Sequence, residues 1–221
     1  HSQGGHAVLG AAQYASRAQL NYKGTVAIAP ASNLASILTI GEQQASTLPI
    51  NYQIQMLAQL DTYTALIVAG MQGHNKSVTY NEVFKNDTVI LAPIAEAECS
   101  STVGVQLGTA MSIYAAGIGQ GTLTGYGRLQ SGFMSIPVID TFLKKDSQPG
   151  LAPLNKKVFI YQGEADTTVP KAATDLLIAS MKANGTSASN IQYTTSAAWD
   201  HGTVYTQNYT SFVDNIDSLF Q

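Results

Sequence analysis

The sequence predicts an α/β fold in which buried parallel strands alternate with helices, and three observations support this prediction. Two short apolar runs, at 24–30 and 157–163, are rich in β-branched and aromatic residues and end in Pro or Gly, as buried parallel strands do. Apolar residues recur at helical spacing over 4–20, directly before the first run. The 221 residues are 45% hydrophobic and 11% charged, which provides enough apolar material for a sizeable core.

A long insertion separates the two strand-like runs. Residues 35–150 have helical periodicity broken by Gly- and Ser-rich segments, and the predicted helices there cover 54–71, 103–118 and 138–143. We therefore assign 1–34 and 151–221 to an α/β core and 35–150 to a helical cap or lid.

The α/β pattern resumes after the second strand. Pro170 opens a helix that Asn184 and Gly185 end, since Pro is favoured in a first turn and Gly after a last one. Residues 190–195 alternate like a strand, and 204–220 predict a final amphipathic helix.

Composition excludes several classes of function. Eleven Lys and Arg against fourteen Asp and Glu give a net charge of −3 without any basic run, so a nucleic-acid partner is not expected. No apolar stretch approaches the roughly 20 residues of a transmembrane helix. The single cysteine, Cys99, excludes an internal disulfide, and the histidines lack metal-ligand spacing, so we expect neither metal nor cofactor. Low Lys content and four N-x-[ST] sequons suit a secreted protein; the sequons start at Asn75, Asn86, Asn184 and Asn208.

The first five residues, HSQGG, match the downstream part of a G-x-S-x-G nucleophile elbow. An elbow is a sharp strand-to-helix turn that holds its serine, here Ser2, in a strained conformation with the hydroxyl exposed. Because strand and helix approach closely, small residues are needed, which explains Gly4 and indicates the same for Gly5 and Ala7. The other interpretation of Ser2 is an ordinary helix N-cap.

A serine nucleophile needs a base within hydrogen-bond reach and an acid that orients the base. Asp166 and His201 each follow a predicted strand, so both loops open at the carboxyl edge of the sheet, where α/β active sites lie. The order Ser2, Asp166, His201 is that of α/β-hydrolases. Glu164 could replace Asp166 as the acid; Asp200 could also serve, although a turn role explains it better.

Three blocks, at 1–7, 161–170 and 200–202, resemble the catalytic blocks of the secretory lipase family, the group similar to fungal lipase A. The resemblance follows the whole chain in order and is loose in the insertion. It implies an α/β-hydrolase fold with Ser2 as nucleophile, Asp166 as acid and His201 as base. It also implies that the backbone N–H of Gln3 is one oxyanion-hole donor.

About five strands precede the elbow in that family, together with the second oxyanion donor. We therefore expect this chain to be the C-terminal part of a longer hydrolase, with the missing N-terminal segment as its partner. Cys99 could then pair with a cysteine of that segment, as cap cysteines do in similar lipases; a buried free thiol is the alternative. The cap is expected to line an acyl tunnel, and the candidates are Met56, Leu60, Met111 and Tyr114.

The sequence thus predicts a secreted serine carboxylic-ester hydrolase, a lipase or esterase, that forms an acyl-enzyme with a small-molecule or lipid ester. A peptidase or an acyltransferase on the same fold would share the triad. A non-catalytic binding module or an inactive fragment would keep the fold alone. The large helical insertion favours lipid-like acyl groups.

Overall fold

A computed structural model describes all 221 residues, which form two compact units. The first unit consists of His1–Ile37 and Leu143–Gln221, and the second of Leu38–Phe142. The assignment of 1–34 with 151–221 as a catalytic core and of 35–150 as a cap stays a prediction.

The chain contains ten α-helices and three strands. In chain order they are α1 Gln3–Tyr14, β1 Gly24–Ile28, α2 Leu34–Ala45, α3 Ile50–His74, α4 Tyr80–Val83, α5 Asn86–Leu91, α6 Ser100–Ala116, α7 Pro137–Thr141, β2 Lys157–Gly163, α8 Lys171–Ala183, β3 Ile191–Ser196, α9 Thr203–Thr206 and α10 Tyr209–Ser218. Short 3-10 segments cover Ala92–Glu96, Phe133–Ser135 and Ala188–Asn190, and a π-helical turn covers Phe142–Asp146. None of the helices combines the length and the apolarity that a bilayer-spanning segment needs.

The first unit is built on a parallel sheet with strand order β1-β2-β3. Val26 lies opposite Phe159, and Ile160 opposite Tyr193, so the three strands run in one direction and their carboxyl ends share one edge. Helices flank the sheet, which confirms the predicted α/β class. The three strands lie within about two residues of the predicted runs.

Each face of this sheet has its own apolar cluster. On one face, Leu9 of α1 and Leu177 of α8 pack with Ile160 of β2. On the other face, Phe212 of α10 and Val204 of α9 pack against strand residues such as Tyr161. The side chains of β2 are buried from Val158 onwards, as expected for the central strand of a sheet covered on both faces.

Two helices are shorter than the sequence predicts. The chain leaves α1 after Tyr14 through a series of turns that end near Gln19, which adopts φ 52°. The predicted helix over 204–220 is broken into α9 and α10. The buried Asn208 side chain donates to the Val204 carbonyl at 2.9 Å, and such a local side-chain bond competes with the helical backbone ladder.

In the second unit a buried ion cluster joins helices to a loop. The Arg128 guanidinium donates to both carboxylate oxygens of Asp61 on α3, at 2.8 and 2.7 Å, and to Glu42 on α2 at 2.6 Å. Asp61 is fully buried, and this burial raises the pKa of its carboxyl to about 6, although Arg128 opposes the rise. Arg128 therefore supplies the counter-charge that an ionised Asp61 requires at neutral pH.

We expect Arg128→Met to lower the free energy of unfolding by about 3–5 kcal/mol at pH 8, because it leaves the buried Asp61 carboxylate without its counter-charge. Without Arg128 the pKa of Asp61 in the folded state rises further. The loss of unfolding free energy in Arg128→Met therefore grows as the pH rises through the folded-state pKa of Asp61. It shrinks toward pH 5, where the Asp61 carboxyl binds a proton. Urea unfolding at pH 8 and pH 5 measures both effects.

Lys171→Met is the matched control, because it removes an exposed i,i+4 ion pair with Asp175. We expect it to change the free energy of unfolding by no more than about 0.5 kcal/mol. Equal losses for the two variants, or a loss in Arg128→Met that does not depend on pH, would contradict this account of the cluster.

Candidate active site

Ser2 lies directly before α1 in a strained backbone conformation. Its φ is 55° and its ψ is −120°, a region that residues other than glycine adopt at a cost of about 1–3 kcal/mol. The Ser2 N–H donates to the Ile28 carbonyl at the end of β1, at 2.8 Å. Its side chain makes no capping hydrogen bond to the helix. Ser2 thus occupies the N-cap position of α1, but its hydroxyl does not cap the helix.

A glycine lets the first helix approach the strand beside it. A Cβ atom at Gly5 would lie 2.8 Å from the Ile28 carbonyl oxygen and 3.1 Å from the Pro30 Cα, too close to both backbones. A Cβ at Gly4 would have no heavy atom within 4 Å, and Ala7 is exposed. The need for a small residue is therefore confirmed at Gly5, whereas within this chain Gly4 and Ala7 make no such close approach.

Asp166 is buried in the loop after β2 and accepts four hydrogen bonds. Its Oδ1 accepts from the backbone N–H groups of Thr168 and Val169, at 2.9 and 2.8 Å. Its Oδ2 accepts from the Gln162 side chain at 3.2 Å and lies 2.7 Å from Nδ1 of His201. With a carboxylate as acceptor, Nδ1 carries the proton, which leaves Nε2 free to accept one.

The two alternative acids have other partners. Glu164 accepts from the Thr195 hydroxyl at 2.7 Å. Oδ1 of Asp200 accepts from the backbone N–H groups of Thr203 and Gly202. These bonds lower the pKa of the Asp200 carboxyl, and the bond from Thr203 has the larger effect. Neither carboxylate binds the His201 ring, and Asp200 is a turn residue.

Backbone contacts hold the histidine loop against the end of β2. Ala165 N–H donates to the Trp199 carbonyl at 3.0 Å. A Cβ atom at Gly163 would lie only 2.3 Å from that same carbonyl oxygen and 3.0 Å from the Asp200 oxygen. The loop that carries His201 therefore reaches Asp166 only because position 163 has no side chain.

Gln162 holds the Asp166 carboxylate, a contact that the sequence did not indicate. Its fully buried amide donates to Asp166 and to the Val169 carbonyl, at 3.2 and 2.9 Å, and its Oε1 accepts from the Thr174 hydroxyl at 2.7 Å. The Gln162 side chain therefore connects β2 with the loop that carries Asp166 and with α8. The available signal was a polar residue directly after the apolar run 158–161, within the predicted strand 157–163.

The serine segment contacts the histidine loop through His1. Nε2 of His1 lies 2.7 Å from the main-chain oxygen of His201, and the two rings are 4.6 Å apart between centroids. No hydrogen bond joins the Ser2 hydroxyl to His201; without substrate, such bonds are often long or poorly aligned. The structure thus pairs Asp166 with His201 and places Ser2 next to a residue that touches the histidine loop.

The remaining candidates have simpler surroundings. Gln3 is the exposed first residue of α1, where a backbone N–H has no partner within the helix. His6 is partly buried, which lowers the pKa of its imidazole, and His74 is exposed. Cys99 is exposed and unpaired in this chain, so the buried-thiol alternative is wrong. Its pairing with another segment stays a prediction.

The second unit contains a cavity of about 490 Å³. Its walls include the ion-cluster residues Glu42 and Arg128 together with Lys85 and Leu57. The four residues expected to line an acyl tunnel are not among those that line this cavity, and two of them, Leu60 and Met111, are buried in the core.

Solved structures share this fold at low sequence identity. A candidate hydrolase from Legionella pneumophila matches with a TM-score of 0.66 and 12% identity, over 99% of this chain and 54% of that protein. The rice cell wall degrading esterase LipA from Xanthomonas oryzae matches with a TM-score of 0.60 and 14% identity, over 99% of this chain and 55% of LipA. A ligand-bound form of LipA matches with a TM-score of 0.59 and 13% identity, over 95% of this chain and 53% of that one.

These matches establish an α/β-hydrolase-like fold. The chain spans about half the length of the structures that it matches. No family model and no curated protein sequence matches it.

We expect Gly163→Ala to break the contact between Asp166 and His201, because the added Cβ meets the backbone at Trp199, which cannot move without its loop. The readout is the downfield proton resonance of the His201 Nδ1–H, which a short bond to a carboxylate produces. Gly202→Ala is the matched control, since its Cβ would only reach ordinary contact with Asp200 at 3.7 Å. A resonance kept in Gly163→Ala, or lost in both variants, would contradict the expectation.

Proposed function

We propose that the full-length protein is a serine carboxylic-ester hydrolase in which Ser2 is the nucleophile, His201 the general base and Asp166 the orienting acid. One observation carries the proposal: a serine in a strained turn before a helix lies beside the loop whose imidazole binds a buried, fully hydrogen-bonded carboxylate. Geometry of this kind makes a weak hydroxyl nucleophile reactive.

The proposed reaction has two balanced halves. Ser2 Oγ attacks the ester carbonyl while its proton passes to Nε2 of His201; the tetrahedral intermediate then releases the alcohol, which takes that proton, and leaves an acyl-serine. Water next attacks the acyl carbon and gives a proton to Nε2. The carboxylic acid departs, and the proton returns to Ser2 Oγ. Asp166 keeps Nδ1 protonated and stabilises the transient imidazolium without taking the proton itself.

The oxyanion of each intermediate needs at least one fixed donor. We assign that role to the backbone N–H of Gln3, because it follows the nucleophile and belongs to the unpaired first turn of α1. The positive end of the α1 dipole points the same way. A second donor is assigned to a segment outside this chain.

We further propose that a segment preceding His1 pairs with the outer edge of β1. The Ser2 N–H already donates to Ile28, which is the bond that the end of a strand parallel to β1 would make. An unpaired buried edge otherwise leaves backbone groups without partners.

The substrate class is an acyl or lipid ester, and secretion is the proposed destination. Fold similarity to an esterase that degrades rice cell wall supports ester chemistry, and the sequons suit export. Residues 35–150 are proposed as the cap that recognises the acyl group. A peptidase or acyltransferase would use the same triad, and competition between ester and peptide substrates separates these activities.

Two carboxylate-to-amide substitutions in the full-length protein test the assignment of Asp166 as the acid. We expect Asp166→Asn to lower kcat for p-nitrophenyl ester hydrolysis by about 10²–10⁴-fold, because the amide cannot hold His201 in the required tautomer. Asp200→Asn is the matched control and should stay within about twofold, since an Asn oxygen still accepts the two backbone bonds of its turn. Equal effects of the two variants would contradict the assignment.

Ser2→Ala tests the nucleophile. We expect turnover to fall by several orders of magnitude, to the residual rate that binding and oxyanion stabilisation give without a triad. The unfolding temperature should stay near that of the parent, because the Ser2 side chain makes no capping bond. Full activity in this variant would eliminate the proposed function, and a parent without any esterase activity would favour a binding module.

A further inference from the structure

His1 makes a specific polar contact that the proposed chemistry leaves unused. Its Nε2 lies 2.7 Å from the main-chain oxygen of His201. A carbonyl oxygen only accepts, so Nε2 must carry a proton and donate. The His1 ring also lies 4.6 Å from the His201 ring and 5.6 Å from the Tyr205 ring, between centroids.

The contact between His1 and His201 joins the serine segment to the histidine loop, and no other hydrogen bond joins these two segments directly. Asp166 fixes the ring of His201 through Nδ1, and the bond from Ala165 N–H to the Trp199 carbonyl holds the histidine loop against β2, but neither contact reaches the serine segment. His1 is the chain neighbour of Ser2, whose backbone is held by Ile28. The bond from His1 to the His201 main chain therefore links the serine segment directly to the histidine loop, in addition to the packing of each on the sheet.

Besides His201, the ring of His1 contacts Tyr205. Tyr205 contacts His1 on one side and Phe212 on the other, at 5.4 Å, and Phe212 is buried in the cluster below the sheet. The exposed ring of His1 thus contacts Tyr205, whose ring in turn contacts a core residue of the first unit.

We infer that His1 is a positioning residue of the proposed reaction: its Nε2–H anchors the main chain of His201 and thereby holds the base within reach of Ser2. The inference rests on the proposed function. A neutral His1 in the Nε2–H tautomer supplies this donor without adding a positive charge next to the imidazolium that forms on His201 during each half-reaction.

Two substitutions separate the hydrogen bond from the ring contact. His1→Phe keeps an aromatic ring and loses the donor, whereas His1→Gln loses the ring and keeps an N–H donor at a similar reach. In the full-length protein we expect His1→Phe to lower kcat by about 10- to 100-fold with KM within about twofold, because a misplaced base slows chemistry more than binding. His1→Gln should restore kcat to within about threefold of the parent.

Each other outcome overturns the inference. Parental kcat in His1→Phe would show that the contact is not needed, and a kcat in His1→Gln as low as in His1→Phe would assign the effect to ring packing. A change in KM alone would place His1 in substrate binding. Unfolding temperatures of both variants identify a loss of activity that comes from misfolding, and in that case the tautomer measurement described next decides.

The inference is separable from the proposed function. If the parent has no hydrolysis that Ser2→Ala removes, the proposed function fails, and ¹⁵N NMR of the imidazoles at pH 8 still tests the contact. A His1 resonance, identified by its loss in His1→Phe, should then report protonated Nε2 and bare Nδ1. The opposite tautomer would overturn the inference.

Discussion

The buried carboxylate of Asp166 is the constraint on which the rest of the candidate site depends. A carboxylate out of water stays charged only when hydrogen bonds replace its hydration. Three donors come from its own strand and loop, and the fourth is the His201 imidazole. A conformation that moves His201 away leaves a buried oxygen short of a donor, at a cost of about 1–3 kcal/mol. Asp166 therefore stabilises the arrangement that orients the His201 imidazole.

The parallel sheet brings the serine segment close to the interacting Asp166 and His201. Three carboxyl strand ends meet at one edge, so the segments after β1, β2 and β3 come together although they are far apart in sequence. Two glycines permit the close approaches: Gly5 lets α1 reach β1, and Gly163 lets the His201 loop reach β2. Backbone packing at these two positions determines where the serine and the imidazole can lie.

Local patterns in the sequence predicted the three strands, which the structure confirms, whereas the roles of Ser2, Asp166 and His201 stay predictions. Buried runs of apolar residues identify strands without any knowledge of their neighbours, and the motif around Ser2 predicts a turn and a helix. The predicted final helix over 204–220 is present but interrupted, because the Asn208 side chain binds the Val204 carbonyl between α9 and α10. Contacts between residues far apart in sequence could not be predicted from local patterns. Arg128 binds Glu42, 86 positions away. Gln162 and Gly163 contact loops that come close to β2 only in the folded chain. The motif singled out Asp166 as a candidate, but the donors that surround its buried carboxylate could not be predicted.

The most direct test of the central claim is the site and rate of fluorophosphonate labelling in the full-length protein. A serine made reactive by the His201–Asp166 pair should carry the adduct at Ser2, identified by peptide mass spectrometry, and labelling should fall sharply in His201→Ala, which removes the base and keeps the nucleophile. An adduct on another residue, or labelling of Ser2 at the parental rate in His201→Ala, would contradict the account.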